Sequence, residues 1–269
     1  MTISMAGKRG LIMGVANERS IAWGIAKSLN EAGADLAFTY QGDQLRRRVE
    51  PLVTSIGKEL IIEADVTSDA SLDAAFAELK AQWGTIDFLV HAIAYSDKTE
   101  LAGRFADTSR DNFLNSLNIS CYSFIDVARR ASDLMPEGGS LVTLTYMGSR
   151  SVIPFYNVMG VAKAALEAAT RYLANDLGPR GIRVNAISPG PMKTLAGAAV
   201  TGARRTFKHA ETNAPLRANA TLSAVGGTAV WLCSDAGACT TGEIVHVDGG
   251  YHVLGMPRPE TMPNPADAT

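Results

Sequence analysis

Short, continuously apolar segments alternate with helical patterns along the chain, and this alternation constrains the fold more than any other feature. Unbroken apolar runs of strand length indicate strands that are buried on both faces. Repeated strand–helix units with right-handed crossovers predict an α/β fold, a doubly wound parallel sheet of about seven strands with helices on both faces. The predicted strands are Gly10–Val15, Asp35–Tyr40, Leu60–Ala64, Phe88–Ile93, Ser140–Thr145, Arg183–Ile187 and Glu243–Val247.

Helical periodicity fills the intervals between these strands. Ile21, Ile25 and Leu29 share one helix face, and Gly33 predicts the end of that helix. Ligands of doubly wound sheets bind beyond the carboxyl ends of the strands, so chemistry is expected in the segments just after the strands. The other predicted helices are Gln44–Ile56, Ser71–Trp83, Arg110–Leu134, Tyr156–Leu177 and Leu222–Ser234.

The whole pattern fits a single domain over residues 1–256. Within it, the segment of about residues 194–215 is rich in Ala, Gly and Thr and follows a strand, so we expect irregular chain that serves as a lid. Residues 257–269 hold four prolines and little that could pack, which predicts a tail that is mobile or lies on a partner subunit.

Composition excludes several classes of protein. The formal net charge of −2 gives no basic field for nucleic acid. No apolar run approaches the ~18 residues of a membrane span. The segment Met1–Gly7 lacks the apolar run of a signal peptide, so we expect a cytoplasmic protein without membrane insertion. Cys121, Cys233 and Cys239 form no disulfide framework and are expected to be buried free thiols; no metal site is predicted.

The turn after the first strand is a candidate phosphate site. Gly14 permits a tight turn, and a helix that begins near Ser20 presents N–H groups and the positive end of its dipole. Ser20 is also a candidate N-cap of that helix. A single glycine is weak evidence by itself, because the G-x-G-x-x-G fingerprint is absent.

Two further strand ends could hold the adenosine of a dinucleotide. The second strand ends at Tyr40 and Gln41 without the acidic residue that often binds a ribose. Asp65 and Val66 follow the third strand, where a carboxylate and backbone groups could bind adenine. A cap of the turn that follows explains Asp65 equally well.

The most informative segment holds Tyr146, Tyr156 and Lys163. Tyr156 and Lys163 are seven residues apart, which places them on nearly the same helix face. A lysine ammonium near a phenol is expected to favour the phenolate, and so to make the phenol a stronger acid that can hold an oxyanion and deliver a proton to it. Taken alone, the pattern also fits two tyrosines at the edge of the core and a solvated lysine.

In order and spacing, these residues resemble the short-chain dehydrogenase/reductase superfamily and, within it, the bacterial enoyl-acyl carrier protein reductases of type II fatty acid synthesis. The similarity runs from about Lys8 to Gly250 and implies one Rossmann-type domain that binds a dinucleotide. Its landmarks are Gly14-Val15-Ala16, Ser20-Ile21-Ala22, Phe38-Thr39-Tyr40-Gln41, Asp65-Val66, His91-Ala92-Ile93-Ala94, Tyr156 through Lys163, Arg183 through Ser188, Gly190-Pro191 and Gly242 through Gly250.

One departure from the superfamily pattern distinguishes its branches. Carbonyl-reducing members carry a Tyr-x3-Lys pair with a serine thirteen residues before the tyrosine; if Lys163 is the lysine, Met159 and Tyr146 occupy those two positions. The tyrosine stands one helical turn earlier, at Tyr156, as in the enoyl reductases. The resemblance therefore implies reduction of a C=C bond conjugated to a thioester, with hydride delivered to the β carbon and charge collecting on the thioester oxygen.

The resemblance also implies residue roles. Tyr156 would bind the thioester oxygen and stabilise the enolate, Lys163 would bind the nicotinamide ribose, and Tyr146 would line the pocket as a further catalytic residue. The implied cofactor-binding residues are Gly14, Ser20, Ile21, Gln41, Asp65, Val66, Ile93, Lys163, Met192, Lys193, Thr194, Leu195 and Ala196. The implied substrate-binding residues are Ser96, Tyr146 and Met159.

The cofactor and the partners are inferred in the same way. NADH is favoured over NADPH, because Tyr40–Asp43 offers no basic group to a 2′-phosphate and Arg46–Arg48 is interpreted as a solvated helix face. An acyl carrier protein is acidic, so Arg204, Arg205 and Lys208 in the lid segment are a candidate dock, with ordinary surface charge as the alternative. The resemblance alone implies a homotetramer.

Two other functions stay open at this point. A carbonyl-reducing short-chain dehydrogenase would share the fold, but Met159 at its usual tyrosine position argues against it. A dinucleotide-sensing binding protein without turnover would not need Tyr146, Tyr156 and Lys163 together.

Overall fold

The computed structural model describes residues 3–194 and 202–262 of the chain. In these residues seven strands form one sheet, and every neighbouring pair of strands is parallel. The strands are β1 (Arg9–Met13), β2 (Asp35–Tyr40), β3 (Ile61–Glu63), β4 (Phe88–His91), β5 (Gly139–Leu144), β6 (Ile182–Pro189) and β7 (Ile244–Val247). Their order is β3-β2-β1-β4-β5-β6-β7, which confirms the predicted doubly wound parallel sheet.

Helices connect the strands and cover both faces of the sheet. They are α1 (Ile21–Glu31), α2 (Gly42–Ser55), α3 (Asp69–Trp83), α4 (Arg110–Leu117), α5 (Ser123–Ser132), α6 (Asn157–Leu177), α7 (Ala203–Asn213) and α8 (Leu222–Cys233). The single helix predicted over Arg110–Leu134 was wrong, because α4 and α5 are joined by the π-helical segment Asn118–Tyr122. Such π-helical insertions occur frequently at functional sites.

Alternate strand residues supply two separate cores. Leu11 and Met13 of β1 pack in the core formed with α3, α5 and α6, whereas Ile12 packs in the core formed with α1, α2 and α8. Both faces of the strand are therefore buried, which explains why the strands are continuously apolar in sequence.

The order of the strands reverses at β1. Strand β2 pairs with one edge of β1 and β4 pairs with the other, so the chain leaves the carboxyl ends of β1 and β4 in opposite directions. A crevice opens at such a reversal, and it is the usual ligand site of doubly wound sheets. The predicted phosphate turn lies at the carboxyl end of β1, beside this crevice.

Two expectations from composition have different outcomes. Cys121 and Cys233 are buried, as predicted, but Cys239 is exposed in the loop before β7, so that part of the prediction was wrong. Within residues 3–194 and 202–262, no helix has both the length and the apolar character needed to cross a membrane.

The segment expected to be irregular contains helix α7. The expectation for residues 194–215 was therefore wrong over Ala203–Asn213. The helix is difficult to recognise in sequence because only Ala210 and Asn213 are buried, so no apolar stripe marks it. Residues 195–201 of the same segment lie outside the described residues.

The proline-rich tail begins against α7. The Oδ1 atom of the buried Asn213 accepts hydrogen bonds from the backbone N–H of Arg258 at 2.8 Å and from the hydroxyl of Thr261 at 2.9 Å. The first residues of the tail, 257–262, thus lie on α7 of the same chain. Residues 263–269 lie outside the described residues.

A buried arginine connects α5 to α3. The side chain of Arg130 is 6% exposed; it contacts the carboxylate of Asp126, and its Nη2 lies 2.8 Å from Oδ1 of Asp73. Asp126 is itself 5% exposed. The neighbouring Arg129 pairs with the same Asp126 at 3.0 Å, but its side chain is 64% exposed. Arg129 and Arg130 thus bind the same carboxylate, but Arg130 is buried and Arg129 is exposed.

We expect the substitution Arg130→Ala to lower the free energy of unfolding by about 3–5 kcal/mol, because it leaves buried carboxylate charge without its main partner. The matched control Arg129→Ala removes a solvent-screened pair and should cost less than about 1 kcal/mol. Urea unfolding at one fixed protein concentration measures both values. Equal losses in the two variants would contradict the assignment of Arg130 as the buried link.

Candidate active site

The phosphate turn depends on the absence of a side chain at Gly14. Its φ of +99° lies in the left-handed region, and a Cβ atom there would lie 2.2 Å from the carbonyl oxygen of Ala92. The ends of β1 and β4 therefore approach each other as closely as backbone atoms allow. Only glycine satisfies both the dihedral angle and the space.

Ser20 organises this turn through its hydroxyl. Its Oγ atom accepts hydrogen bonds from the backbone N–H groups of Ala16 and Asn17, each at 3.0 Å. Ser20 occupies the predicted N-cap position of α1, but its side chain makes no cap hydrogen bond to that helix. The N–H groups of Trp23 and Gly24 donate to the carbonyl of Ser20, which leaves those of Ile21 and Ala22 at the start of α1 for an anion. This arrangement fits the pyrophosphate of a dinucleotide.

The adenosine side is formed by the ends of β2 and β3. Oδ1 of Asp65 accepts hydrogen bonds from the N–H and the hydroxyl of Thr67 at 2.8 and 2.7 Å, so the carboxylate closes its own turn. Burial alone would raise the pKa of Asp65, but the hydrogen bonds from Thr67 and from the side chain of Gln41 hold it below its ordinary value. Val66 packs against the core formed with α3. Asp65 therefore caps the turn that follows β3, which is the alternative interpretation of this residue in sequence.

Tyr146 and Tyr156 lie together at the carboxyl end of β5. Their rings meet edge to face, with centroids 5.2 Å apart and an interplanar angle of 74°. Burial, with a smaller effect of Tyr251, raises the pKa of Tyr146 to about 12. Burial, with a smaller effect of Tyr146, also raises the pKa of Tyr156. Both phenols are therefore neutral hydrogen-bond donors at neutral pH.

Lys163 lies on α6, and its side chain reaches the end of β5. Its Nζ donates a hydrogen bond of 2.8 Å to the carbonyl oxygen of Leu144, the last residue of β5. Burial lowers the pKa of Lys163 to about 8, against the opposing influence of Cys121 and Glu167. The expectation that this ammonium would make Tyr156 more acidic was wrong, because burial controls the pKa of that phenol and raises it.

The substrate side is built around the π-helical segment. The buried hydroxyl of Ser120 accepts a hydrogen bond from the N–H of Tyr95 at 2.9 Å and donates one to the carbonyl of the same residue at 3.0 Å. It also lies 3.9 Å from the Sδ of Met159. Ser96 donates to Oδ1 of Asn112 at 3.3 Å. Ser96 and Met159, both predicted to border the substrate, are thus held by neighbouring residues on α4 and the π-helical segment.

The residues predicted to bind the nicotinamide lie after the ends of β4 and β6. Ile93 and Met192 are half-buried and pack against opposite cores. The ammonium of Lys193 lies 4.5 Å from the ring centroid of Phe207 on α7, so it links the strand end to the lid. Thr194 follows directly. Leu195 and Ala196, also predicted to bind the cofactor, lie outside the described residues.

Several site residues were not anticipated from sequence. Glu167 lies four residues after Lys163, a spacing that could have indicated it. Phe155 precedes Tyr156 with a φ of +61°, a conformation that is strained for an aromatic residue and that no sequence pattern announces. Asn112 and Ser120 lie on helices whose sequence pattern predicted only packing.

The comparisons with known proteins agree with this geometry. The family model described as enoyl-(acyl carrier protein) reductase matches residues 14–252. A curated relative from Rhizobium meliloti (strain 1021), enoyl-(acyl-carrier-protein) reductase (NADH) 1, is 59% identical over 252 residues, which are 94% of this chain and 93% of the relative.

Solved structures give the same result. A reductase of this kind from Anaplasma phagocytophilum in complex with NAD superposes with a TM-score of 0.93 at 52% identity, over 96% of this chain and 98% of the other. The Bacillus cereus enoyl-acyl carrier protein reductase with NADP+ and indole naphthyridinone also has a TM-score of 0.93, at 50% identity, over 95% of this chain and 100% of the other. The chain therefore belongs to the enoyl-(acyl carrier protein) reductase family.

Proposed function

We propose that this chain catalyses the NADH-dependent reduction of the C2=C3 bond of a trans-2-enoyl thioester carried by acyl carrier protein, in type II fatty acid synthesis. The observation that carries the proposal is the edge-to-face contact of Tyr156 with Tyr146 at the end of β5, where the buried Lys163 donates a hydrogen bond to the carbonyl of Leu144. Met159 fills the position where a carbonyl-reducing member of the superfamily would carry its tyrosine. Identity of 59% to an NADH-dependent relative supports the same activity.

In the proposed reaction, a neutral phenol stabilises the charge that develops on the substrate. Bound NADH supplies a hydride to C3 of the enoyl chain. Tyr156 donates a hydrogen bond to the thioester oxygen, where negative charge collects as the enolate forms, and a proton that comes ultimately from solvent is added at C2 to complete the reduction. Because burial raises the pKa of Tyr156, the phenol keeps its proton in the resting enzyme and acts as a donor. Tyr146 packs edge-on against it and limits the rotation of the ring.

In this proposal Lys163 binds the cofactor and does not ionise Tyr156. One N–H of its ammonium is held by the carbonyl of Leu144, which leaves two donors for the hydroxyls of the nicotinamide ribose. Held in this way at the end of β5, the lysine fixes the side of the crevice on which the nicotinamide lies. Positioning of this kind accounts for a large part of the rate enhancement by enzymes.

The cofactor site fits NADH. The side-chain-free turn at Gly14 and the uncapped first turn of α1 suit a pyrophosphate. At the ribose end, the nearest guanidinium on α2 is engaged elsewhere, because Arg46 lies over the ring of Tyr40 at 5.8 Å and pairs with Glu50 at 3.6 Å. The exposed Gln41 supplies a neutral group where a 2′-phosphate would need a cation.

Acyl carrier protein is the proposed macromolecular substrate. Arg204, Arg205 and Lys208 are exposed on α7, and Lys208 pairs with Glu211 at 3.0 Å. The two arginines therefore carry most of the unneutralised positive charge of this patch. An acidic partner would be attracted to it.

The proposal includes a cytoplasmic homotetramer. Large apolar side chains are exposed on two neighbouring helical elements, among them Leu114 and Tyr122 on the α4–α5 element and Val161 on α6. Exposed apolar groups that cluster on adjacent helices are typical of subunit interfaces. Sedimentation would give the mass of the assembly.

Tyr156→Phe is expected to lower kcat by roughly 10²–10³, because it removes the donor to the enolate oxygen, while the Kd for NADH changes little. Tyr172→Phe is the matched control: Tyr172 lies on α6 and is 80% exposed. NADH oxidation at 340 nm with a trans-2-enoyl thioester, in parallel with a panel of ketones, measures the effect. Turnover of ketones and not of enoyl thioesters would refute the proposed function.

Gly14→Ala is expected to weaken NADH binding by roughly tenfold or more, because the new methyl group must displace the Ala92 carbonyl and deform the turn. The control Gly57→Ala imposes a similar strain at φ +71° but meets no atom within 4 Å. Fluorescence titration with NADH compares the two variants. Similar affinities would show that the turn does not contact the cofactor.

The double substitution Arg204→Glu and Arg205→Glu is expected to raise the KM for an enoyl-acyl carrier protein by roughly tenfold, since it reverses the local charge. The KM for the same enoyl group on coenzyme A should change much less. Steady-state kinetics with both thioesters at one ionic strength tests the dock. An unchanged KM for the carrier-protein substrate would place the dock elsewhere.

A further inference from the structure

Glu167 is a buried carboxylate in the site that the proposed mechanism does not use. It is 6% exposed and lies on α6, one turn after Lys163. Its Oε1 atom accepts a hydrogen bond from the hydroxyl of Thr145 at 2.8 Å and another from the hydroxyl of Ser149. These two donors stand at the two ends of the short segment that carries Tyr146.

The same segment is pressed against α6 along its length. A Cβ atom on Gly148 would lie 2.6 Å from Cδ1 of Tyr156, and a Cβ atom on Gly160 would lie 2.8 Å from the carbonyl oxygen of Gly148. The segment can lie this close to α6 because Gly148 and Gly160 have no side chains. Its two ends are held by hydrogen bonds. Glu167 fastens both ends with one oxygen atom.

Glu167 also supplies charge near Lys163. Three ionisable groups influence this lysine: Cys121 from the π-helical segment, His91 from β4 and Glu167 from α6. Burial raises the pKa of Cys121, and burial followed by Lys163 lowers the pKa of His91 to about 3, so both groups are neutral at neutral pH. Of these three groups, the carboxylate of Glu167 is the one that can balance the ammonium.

We propose that Glu167 is a positioning residue of this reductase: it fixes the segment from Thr145 to Ser149, and thereby Tyr146 against Tyr156, and, buried one helical turn from Lys163, it stabilises the ammonium of that lysine. The inference rests on the proposed function for its effect on turnover. Its effect on the lysine is separate, because it concerns cofactor binding and can be measured without turnover.

The first test is Glu167→Gln, which preserves shape and removes the charge. We expect kcat for a trans-2-enoyl thioester to fall roughly tenfold, because a hydrogen bond to a carboxylate is stronger than one to an amide. In the parent enzyme, affinity for NADH should decline as the pH rises through about 8, where Lys163 loses its proton. In the variant the decline should begin at lower pH, because the opposing charge is gone.

Asp176→Asn is the matched control, since it removes one exposed carboxylate from the same helix. It should leave kcat and the pH dependence of NADH binding unchanged. A second variant, Thr145→Val with Ser149→Ala, removes the donors and keeps the charge. It should lower kcat and leave the decline in NADH affinity near pH 8, which separates the two roles.

The outcomes are distinct. If Glu167→Gln lowers the thermal midpoint alone, with kcat and the pH dependence of NADH binding as in the parent, Glu167 is structural and the inference is overturned. The inference is also overturned if the Thr145 and Ser149 variant keeps full kcat. If the parent enzyme fails to reduce enoyl thioesters, the proposed function fails, while the shift in the pH dependence of NADH binding still decides the role of Glu167.

Discussion

Burial of the sheet on both faces determines where this chain can carry out chemistry. All four residues of β4, Phe88–His91, are buried, and the cores on the two sides share the alternate residues of β1. A polar side chain can therefore reach a ligand only beyond the strand ends. At the reversal of strand order this edge becomes a crevice, and a side chain at Gly14 would collide there with the carbonyl of Ala92.

The site controls protonation by burial more than by pairs of opposite charge. His91 is fully buried between the hydroxyls of Thr143 and Ser123, and burial, with the charge of Lys163, lowers its pKa to about 3. A neutral imidazole avoids a second cation beside the lysine. Burial also raises the pKa of Tyr156, so the phenol remains a donor. Water would weaken each of these effects, and its exclusion by the packed strand end makes them possible.

The fold could be predicted because each strand is long enough to show unbroken apolar character, and Tyr156 and Lys163 could be placed together because helical spacing fixes their face. Local polar contacts could not be predicted in the same way. Ser20 has the residue type and position of a helix cap, yet its hydroxyl bonds the preceding turn. Whether the Ser20 hydroxyl accepts hydrogen bonds from the preceding turn or from the helix depends on the conformation of that turn. A sequence pattern does not give this conformation.

The protonation state of Tyr156 and the helix α7 could not be predicted from sequence, for a related reason. The direction of the pKa shift of Tyr156 depends on whether burial or the charge of Lys163 has the larger effect. Burial is a property of the assembled fold, so sequence does not show it. Helix α7 has almost no apolar stripe, because it is held at a few points and not by a broad core. Those points are the contact of Lys193 with Phe207, the hydrogen bond of Asn219 to the Phe207 carbonyl at 3.0 Å, and the hold of Asn213 on the tail.

These attachments give α7 a mechanical connection to the cofactor side of the site. Lys193 belongs to the chain that leaves β6 beside the nicotinamide position, and its ammonium lies 4.5 Å from a ring in the middle of α7. Arg204 and Arg205 stand in the first turn of the same helix. The cation–π contact of Lys193 with Phe207 therefore links the helix that carries both arginines to the chain that leaves β6.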